Sequence, residues 1–244
     1  MRAVILAGGR GTRLRPFTAS FPKPLVPLGD TPVVEVLIRR LMRSGITDIT
    51  LTLGHLAELI QAYFSHRQRL LSHLKLKYVV EEEPSGTAGS LALVEGLDET
   101  FLVMNGDLLT DLDFHELVRY HQQQGSALTI ATQKRSVKID LGVLEFDESG
   151  RITNYVEKPE QLYHVSMGVY VYEPRVLQYI KRGEYLDFPD LVLKLLSCGE
   201  KVSAHLTDCM WLDIGRPDDY ARAQHLFEEH KERLDRVVSA DSAQ

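Results

Sequence analysis

The chain has 244 residues, 44% of them hydrophobic and 25% charged, a balance that supports a folded globular protein with a substantial core. Its formal net charge of −6 leaves no basic excess to displace counterions, which argues against nonspecific nucleic-acid binding. Only two cysteines occur, Cys198 and Cys209, at no metal-motif spacing; with no membrane-length apolar run and no leader pattern, the expectation is a soluble cytoplasmic protein.

Residues Ala3 to Ala7 form a short apolar run ending at glycine, which predicts a buried strand opening into a loop. Thr31 and Pro32 read as the N-cap and first residue of a helix with Val33, Val34, Leu37, Ile38 and Leu41 on its apolar face and Gly45 as its stop. Asp48 to Leu53 alternates as a strand, Leu56 to Phe64 reads as a helix, Leu76 to Glu81 as a strand and Thr87 to Gly96 as a helix. Phe101 to Met104 is a short apolar strand closing at Asn105-Gly106-Asp107. Asp113 with Glu116 has capping-box form and predicts a helix to Gln123, before a strand from Ala127 to Lys134. This alternation predicts an α/β fold with parallel strands, right-handed crossovers and helices on both faces.

After Lys134 the rhythm changes. Gly142 to Phe146 and Arg151 to Val156 flank a turn at residues 147–150 as a hairpin-like unit, followed by a strand from Met167 to Tyr172. Helical segments are expected from Glu173-Pro174 and around Leu191 to Leu196. Short strands follow at Val202 to Leu206 and Met210 to Asp213, then a closing amphipathic helix from Pro217 to about Arg236. No repeat, linker or compositional break interrupts the chain, so residues 1–238 read as one domain with a small accessory β-region and 239–244 as a frayed tail.

The loop after the first strand carries the chemistry. Gly8, Gly9 and Gly11 allow backbone N–H groups to approach a bound group, and Arg10, Arg13, Arg15 and Lys23 supply fixed positive charge beside them, which suits a polyphosphate. Neither of the two common phosphate loops fits: no GxxxxGK[ST] spacing begins at Gly8 or Gly9, and Leu14 stands where GxGxxG needs its third glycine.

The string LAGGRGTRLRPFT followed by FPKPLVPL resembles the N-terminal signature of the sugar-1-phosphate nucleotidyltransferases, the nucleotide-sugar pyrophosphorylases. The resemblance implies a Rossmann-like, mainly parallel sheet and transfer of a nucleotidyl group from an NTP to a sugar 1-phosphate, with Mg²⁺ as cofactor. Leu6, Ala7, Gly8, Gly9, Gly11, Thr12 and Arg13 would then hold the nucleotide, with Arg13 and Lys23 acting on its phosphates. Asp107, at the end of an apolar strand, and Asp213, in WLDIGRPDDY, match the family's metal-binding acids. Tyr155-Val156-Glu157-Lys158-Pro159 resembles its V-E-K-P element, in which the glutamate accepts from sugar hydroxyls and the lysine holds the sugar phosphate. Gly142 and Gly168 match glycines that lie against the sugar.

Gly86 and Thr87, in EEEPSGTAG, fall in the segment that reads the base; a GTAG ending looks most like guanylyl- and some uridylyltransferases, and the subgroup resembled is that of the mannose-1-phosphate guanylyltransferases. That favours GTP with mannose 1-phosphate or a manno-configured heptose 1-phosphate, the alternative being UTP or dTTP with glucose 1-phosphate. Leu141 and Ser166 depart from the pattern, which leaves the sugar open, and Ser85 replaces the usual leucine in the base-reading segment. The C-terminal left-handed β-helix of many relatives is not expected, since no hexapeptide repeats occur. A catalytically silent, nucleotide-sensing regulatory subunit is the alternative of another class; the charged positions Arg13, Lys23, Asp107, Lys158 and Asp213 favour the enzyme. Asp111, Asp113, Asp218 and Asp219 are expected as caps or solvated residues, and the scattered histidines form no ligand pair.

Overall fold

In the computed structural model, which describes residues 1–235, the apolar runs become the centre of a sheet and the segments between them its covering helices. Strand β1 (Arg2–Ala7) leads through 3-10 turns at Thr12–Leu14 and Lys23–Leu25 and a small clasp, β2 (Pro27–Leu28) with β3 (Thr31–Pro32), into α1 (Val33–Arg43). Next come β4 (Asp48–Leu53), α2 (Ala57–Ser65), α3 (Gln68–Leu71), β5 (Lys75–Val80), α4 (Gly86–Gly89), a 3-10 turn at Ser90–Leu93, β6 (Phe101–Asn105), β7 (Leu108–Thr110) and α5 (Phe114–Gln124). The second half runs β8 (Leu128–Lys138), β9 (Gly142–Phe146), β10 (Ile152–Glu157), β11 (Glu160–Tyr172), a 3-10 segment at Pro174–Tyr179, α6 (Phe188–Ser197), β12 (Val202–Leu206), β13 (Trp211–Asp213), α7 (Pro217–Glu229) and α8 (Lys231–Asp235).

Seven strands form the main sheet in the order β12-β8-β11-β6-β1-β4-β5. All its ladders are parallel except the two made by β11, which runs against both β6 and β8. The mixed, mainly parallel α/β architecture expected from the sequence is thus present. Side chains alternate across β1: Ala3 and Ile5 join the core under α1, α2 and α5, whereas Val4 joins the one under α6. Leu37, Ile38 and Leu41 of α1 fill the first core and Leu191 and Leu195 of α6 the second, so both faces are covered. A third cluster packs Phe227 of α7 against Leu28, Leu212 and Leu14, and thereby pins the turn that follows the glycine loop. Among the described residues no helix is long and apolar enough to cross a membrane.

Several boundaries move, for physical reasons. Thr31 does not cap α1: it pairs with Leu28 across the clasp, and the helix starts at Val33 behind Pro32. The helix expected from Thr87 to Gly96 shortens to one α-turn and a 3-10 turn, because Ala88 N and Gly89 N donate to Leu186 O at 3.0 and 2.9 Å, a carbonyl outside the helix. Strand β11 begins at Glu160 rather than Met167 and β8 runs on to Lys138, since each supplies the other's hydrogen bonds beyond the body of the sheet. Asp113 caps α5 as expected, accepting from His115 N at 2.9 Å and Glu116 N at 3.1 Å. The tail expected at 239–244 and the helix end expected near Arg236 lie outside the described residues.

Candidate active site

In a parallel sheet the loops at the strand carboxyl ends are free to gather, and here those after β1, β4, β5 and β6 enclose a cleft of about 650 Å³. Leu6, Ala7, Gly8, Gly9, Gly11, Thr12, Arg13, Lys23, Gly86, Thr87, Asp107 and Asp213, twelve of the residues expected from the sequence to form the site, all line it.

The floor is glycine because backbone meets backbone there. A Cβ on Gly54 would stand 2.8 Å from the Gly8 carbonyl oxygen, and one on Gly8 would stand 2.8 Å from a Glu81 carboxylate oxygen. Gly11 adopts φ +60°, and its carbonyl accepts from Thr18 Oγ1 at 2.7 Å. Buried Leu14 fixes the far end of the loop, while Arg10 and Arg13 remain exposed at the cleft, with no hydrogen bond or ion pair to other described residues.

Lys23, whose side chain packs beside Gly11 of the glycine loop, forms an ion pair with Asp107. The two acids, far apart in sequence, meet through a three-residue antiparallel ladder: β13 pairs with β7 so that Asp213 lies beside Leu108, and Ile214 N donates to Asp107 O at 3.0 Å. Trp211 braces the ladder by donating from Nε1 to Met167 O at 2.8 Å. Burial raises the Asp213 carboxyl above its ordinary pKa; the neighbouring Asp107 charge raises it further, and Lys23 and Arg13 pull it back. Asp107 Oδ1 is buried and has no hydrogen-bond partner.

Such a pair calls for a cation. Hard carboxylate oxygens, one orphaned and the other held in a like-charged environment, suit Mg²⁺, which takes few protein ligands and completes its shell with water and phosphate. Among the described residues no group of three or more His, Cys, Asp or Glu forms a fuller metal cage, so only this sparse mode fits.

The wall expected to face the base is held by a segment the sequence reading left out. Gly86 sits at φ +81°, where a Cβ would collide with the Leu186 carbonyl. Leu186 N donates to Ser85 O at 2.9 Å, and the Asp187 carboxylate accepts from Thr87 N at 3.0 Å and Thr87 Oγ1 at 3.2 Å. Those bonds, the backbone one foremost, hold the Asp187 pKa below its ordinary value. Glu81 orders the same loop, accepting from Ser85 N at 3.0 Å and Ser85 Oγ at 2.6 Å. Gly54, Tyr185 and Asp187 also line the cleft and were missed, whereas Glu81 lies in the EEEPSGTAG segment expected to read the base.

The acceptor residues are arranged differently. Gly142 and Glu157 face each other across the β9–β10 hairpin, Tyr155 OH donates to Glu157 Oε2 at 2.8 Å, and Lys158 occupies a left-handed kink at φ +47°. All lie on exposed backbone outside the cleft lining. Gly168, at φ +72°, packs against Asn105, itself a lining residue; a Cβ there would stand 2.6 Å from Asn105 Nδ2. Three of the acids set aside in the sequence have structural partners: Asp111 accepts from Met210 N at 2.8 Å, Asp219 from Arg216 N at 3.1 Å, and Asp113 caps α5. His121 is buried between Thr129 and Glu173, and burial lowers its pKa.

Strand ends, glycine loop, cations and converging acids together define an α/β protein with a cleft suited to phosphate groups. The chain belongs to the nucleotidyl transferase family, whose sequence model matches residues 2–230. It is 36% identical over 241 residues to the UTP–glucose-1-phosphate uridylyltransferase of Synechocystis sp., with 91% of this chain and 62% of that protein aligned. It is 32% identical over 246 residues to mannose-1-phosphate guanyltransferase beta-B of Xenopus laevis, over 96% of this chain and 68% of that protein. This chain therefore spans roughly two thirds of the length of these relatives. Among solved structures, HddC from Yersinia pseudotuberculosis complexed with GMP-PN superposes with a TM-score of 0.71 at 26% identity, over 93% of this chain and 99% of that one.

Proposed function

We propose that the chain transfers a nucleotidyl group from a nucleoside triphosphate to a sugar 1-phosphate, releasing pyrophosphate. The observation that carries this reading is the convergence of Lys23, Asp107 and Asp213 beside the glycine loop in one cleft.

A sugar-phosphate oxygen, already ionised at neutral pH, attacks the α-phosphorus; a new P–O bond forms, the α–β bridging P–O bond breaks, and pyrophosphate carries off the electron pair. No general base is required, so the protein's work is alignment and charge neutralisation. Backbone N–H groups around Gly8, Gly9, Gly11 and Thr12 cradle the triphosphate, and Arg13, with no hydrogen bond or ion pair to other described residues, meets the departing pyrophosphate. Lys23 neutralises the attacking and transferred phosphates. Asp107 and Asp213 would hold Mg²⁺, which supplies Lewis-acid neutralisation of phosphate charge. Gly86 and Thr87 lie along the base. Glu157 and Lys158, with Gly142 and Gly168, serve the acceptor, on the strength of the V-E-K-P resemblance.

For substrates, the GTAG segment and the guanyltransferase relative support GTP with mannose 1-phosphate or a manno-configured heptose 1-phosphate. The Synechocystis relative supports a second reading, UTP with glucose 1-phosphate. The test is pyrophosphate release with Mg²⁺ in a matrix of five NTPs against mannose, glucose, galactose, N-acetylhexosamine and heptose 1-phosphates. One productive cell names base and sugar together. Silence across the matrix with folded protein overturns the enzyme reading in favour of a nucleotide-sensing subunit, and calorimetry then shows nucleotide binding without turnover.

A further inference from the structure

Two of the residues that line the cleft carry a buried side-chain oxygen with no hydrogen-bond partner among the described residues, Asp107 Oδ1 and Ser90 Oγ. The first belongs to the acid pair. The second has no part in the chemistry above, and it is the better hidden, since Ser90 is only 2% exposed.

Its place in the chain explains why the hydroxyl stays unpaired. Ser90 opens the 3-10 turn Ser90–Leu93 directly after α4, where a serine commonly turns its hydroxyl back to a carbonyl three or four residues earlier. Here the Gly86 carbonyl already accepts from Ser90 N. The flanking Ala88 and Leu91 pack into the apolar core under α6, beside Val4 and Leu6, and bring no side-chain acceptor. A hydroxyl buried without a partner costs free energy, and a bound molecule that supplies the partner recovers it.

The order of the sheet indicates which part of a substrate that is. Its centre runs β6-β1-β4-β5, with the glycine loop leaving β1. Asp107 lies past the end of β6, on one side of that loop. Thr52 and Gly54 line the cleft from β4 and its end, Glu81 from the end of β5, and Ser90 from the segment that follows β5. On the nucleotidyl-transfer reading, on which this step rests, the acceptor phosphate arrives beside the acids and the triphosphate lies on the glycine loop. The nucleoside is then left the side of β4 and β5. We propose that the Ser90 hydroxyl is a base-binding group, hydrogen-bonded to the edge of the nucleobase of the bound triphosphate. Serine turns about χ1 among staggered positions, and with no side-chain bond to break, its hydroxyl can meet either a donor or an acceptor on the base.

Calorimetric titration with Mg²⁺ and the tightest-binding of the five NTPs, on the unaltered protein and on Ser90→Ala, tests this. The substitution should weaken NTP binding about tenfold and leave that of ribose 5-triphosphate, which has no base, unchanged. Without ligand the hydroxyl has no bond to lose, so the Tm of Ser90→Ala should equal or exceed that of the unaltered protein. Thr50→Val is the control: Thr50 Oγ1 is also buried and unpartnered but lies outside the cleft lining, so both affinities should stay as they are. Undiminished NTP binding by Ser90→Ala, an equal loss for ribose 5-triphosphate, a lowered Tm, or no NTP binding by the unaltered protein overturns the proposal. Because the readout is binding, a protein that binds NTP but is silent in the turnover matrix still answers it, and the transfer reading then fails separately from this one.

Discussion

Asp213→Asn separates the stability the cleft gives up from the chemistry it gains. The folded state raises the Asp213 pKa above its ordinary 3.8, through burial and the Asp107 charge. A folded state that holds the proton more tightly loses stability as pH rises from the unfolded value through the folded one, and the penalty is complete above the latter. At neutral pH asparagine removes it. Burial and the Asp107 charge outweigh the pull of Lys23 and Arg13, so the variant gains stability, about 1.4 kcal/mol for each unit by which the pKa is raised, and each kcal/mol is worth about 2–4 °C in Tm for a chain of this size. The advantage should vanish as pH falls below 3.8, where the carboxyl is protonated in the folded and unfolded chains alike. Scanning calorimetry against pH reads the stability, and pyrophosphate release should fall by about 10²–10³-fold. Mg²⁺ at about a hundred times its Kd should raise the stability of the unaltered protein by about 2.7 kcal/mol and that of the variant by much less. A variant destabilised at neutral pH, or one with near-normal turnover, would refute the carboxylate-pair account.

Arg13→Ala should abolish turnover with Tm within a degree or so, because Arg13 is exposed and has no hydrogen-bond or ion-pair partner among the described residues; appreciable activity in the folded variant removes it from the pyrophosphate. Gly86→Ala forces a Cβ into the Leu186 carbonyl at φ +81° and should cost about 2–4 kcal/mol, seen in denaturant unfolding as a lowered midpoint; an unchanged midpoint would mean the Ser85–Leu186 contact is dispensable. Glu157→Ala should raise the KM for the sugar phosphate about tenfold more than that for the NTP, and equal effects would dissociate Glu157 from the acceptor.

Much of this was legible because it is local. β1 and its glycine loop are one continuous string, and Gly11, needed at φ +60°, and Leu14, needed as an anchor, sit within a single motif. The helical and strand periods of α1, β4 and α5 survive because their apolar residues, Leu37, Ile38 and Leu41, then Ile49, Leu51 and Leu53, then Phe114 and Leu117, all fall in one core at helix or strand spacing. What escaped depends on pairing between distant segments. Gly54 looks like any turn glycine until Gly8 is laid against it, and Asp187 like a loop acid until Thr87 arrives. The convergence of Asp107 and Asp213 rests on a ladder of three residues, too short to leave a period. The accessory β-region at 133–166 was half seen: the hairpin turn is written in Asp147 to Gly150, but the long extension of β8 and β11 is polar and reads as loop.

Phosphorus NMR of the reaction mixture tests the central claim most directly, because it reports which bond breaks. With the productive NTP and sugar 1-phosphate, the α-phosphorus signal should pass into a sugar diphosphate as free pyrophosphate appears in equal amount. Accumulation of NDP and inorganic phosphate, or of a nucleotide with the sugar phosphate untouched, would contradict nucleotidyl transfer in this cleft.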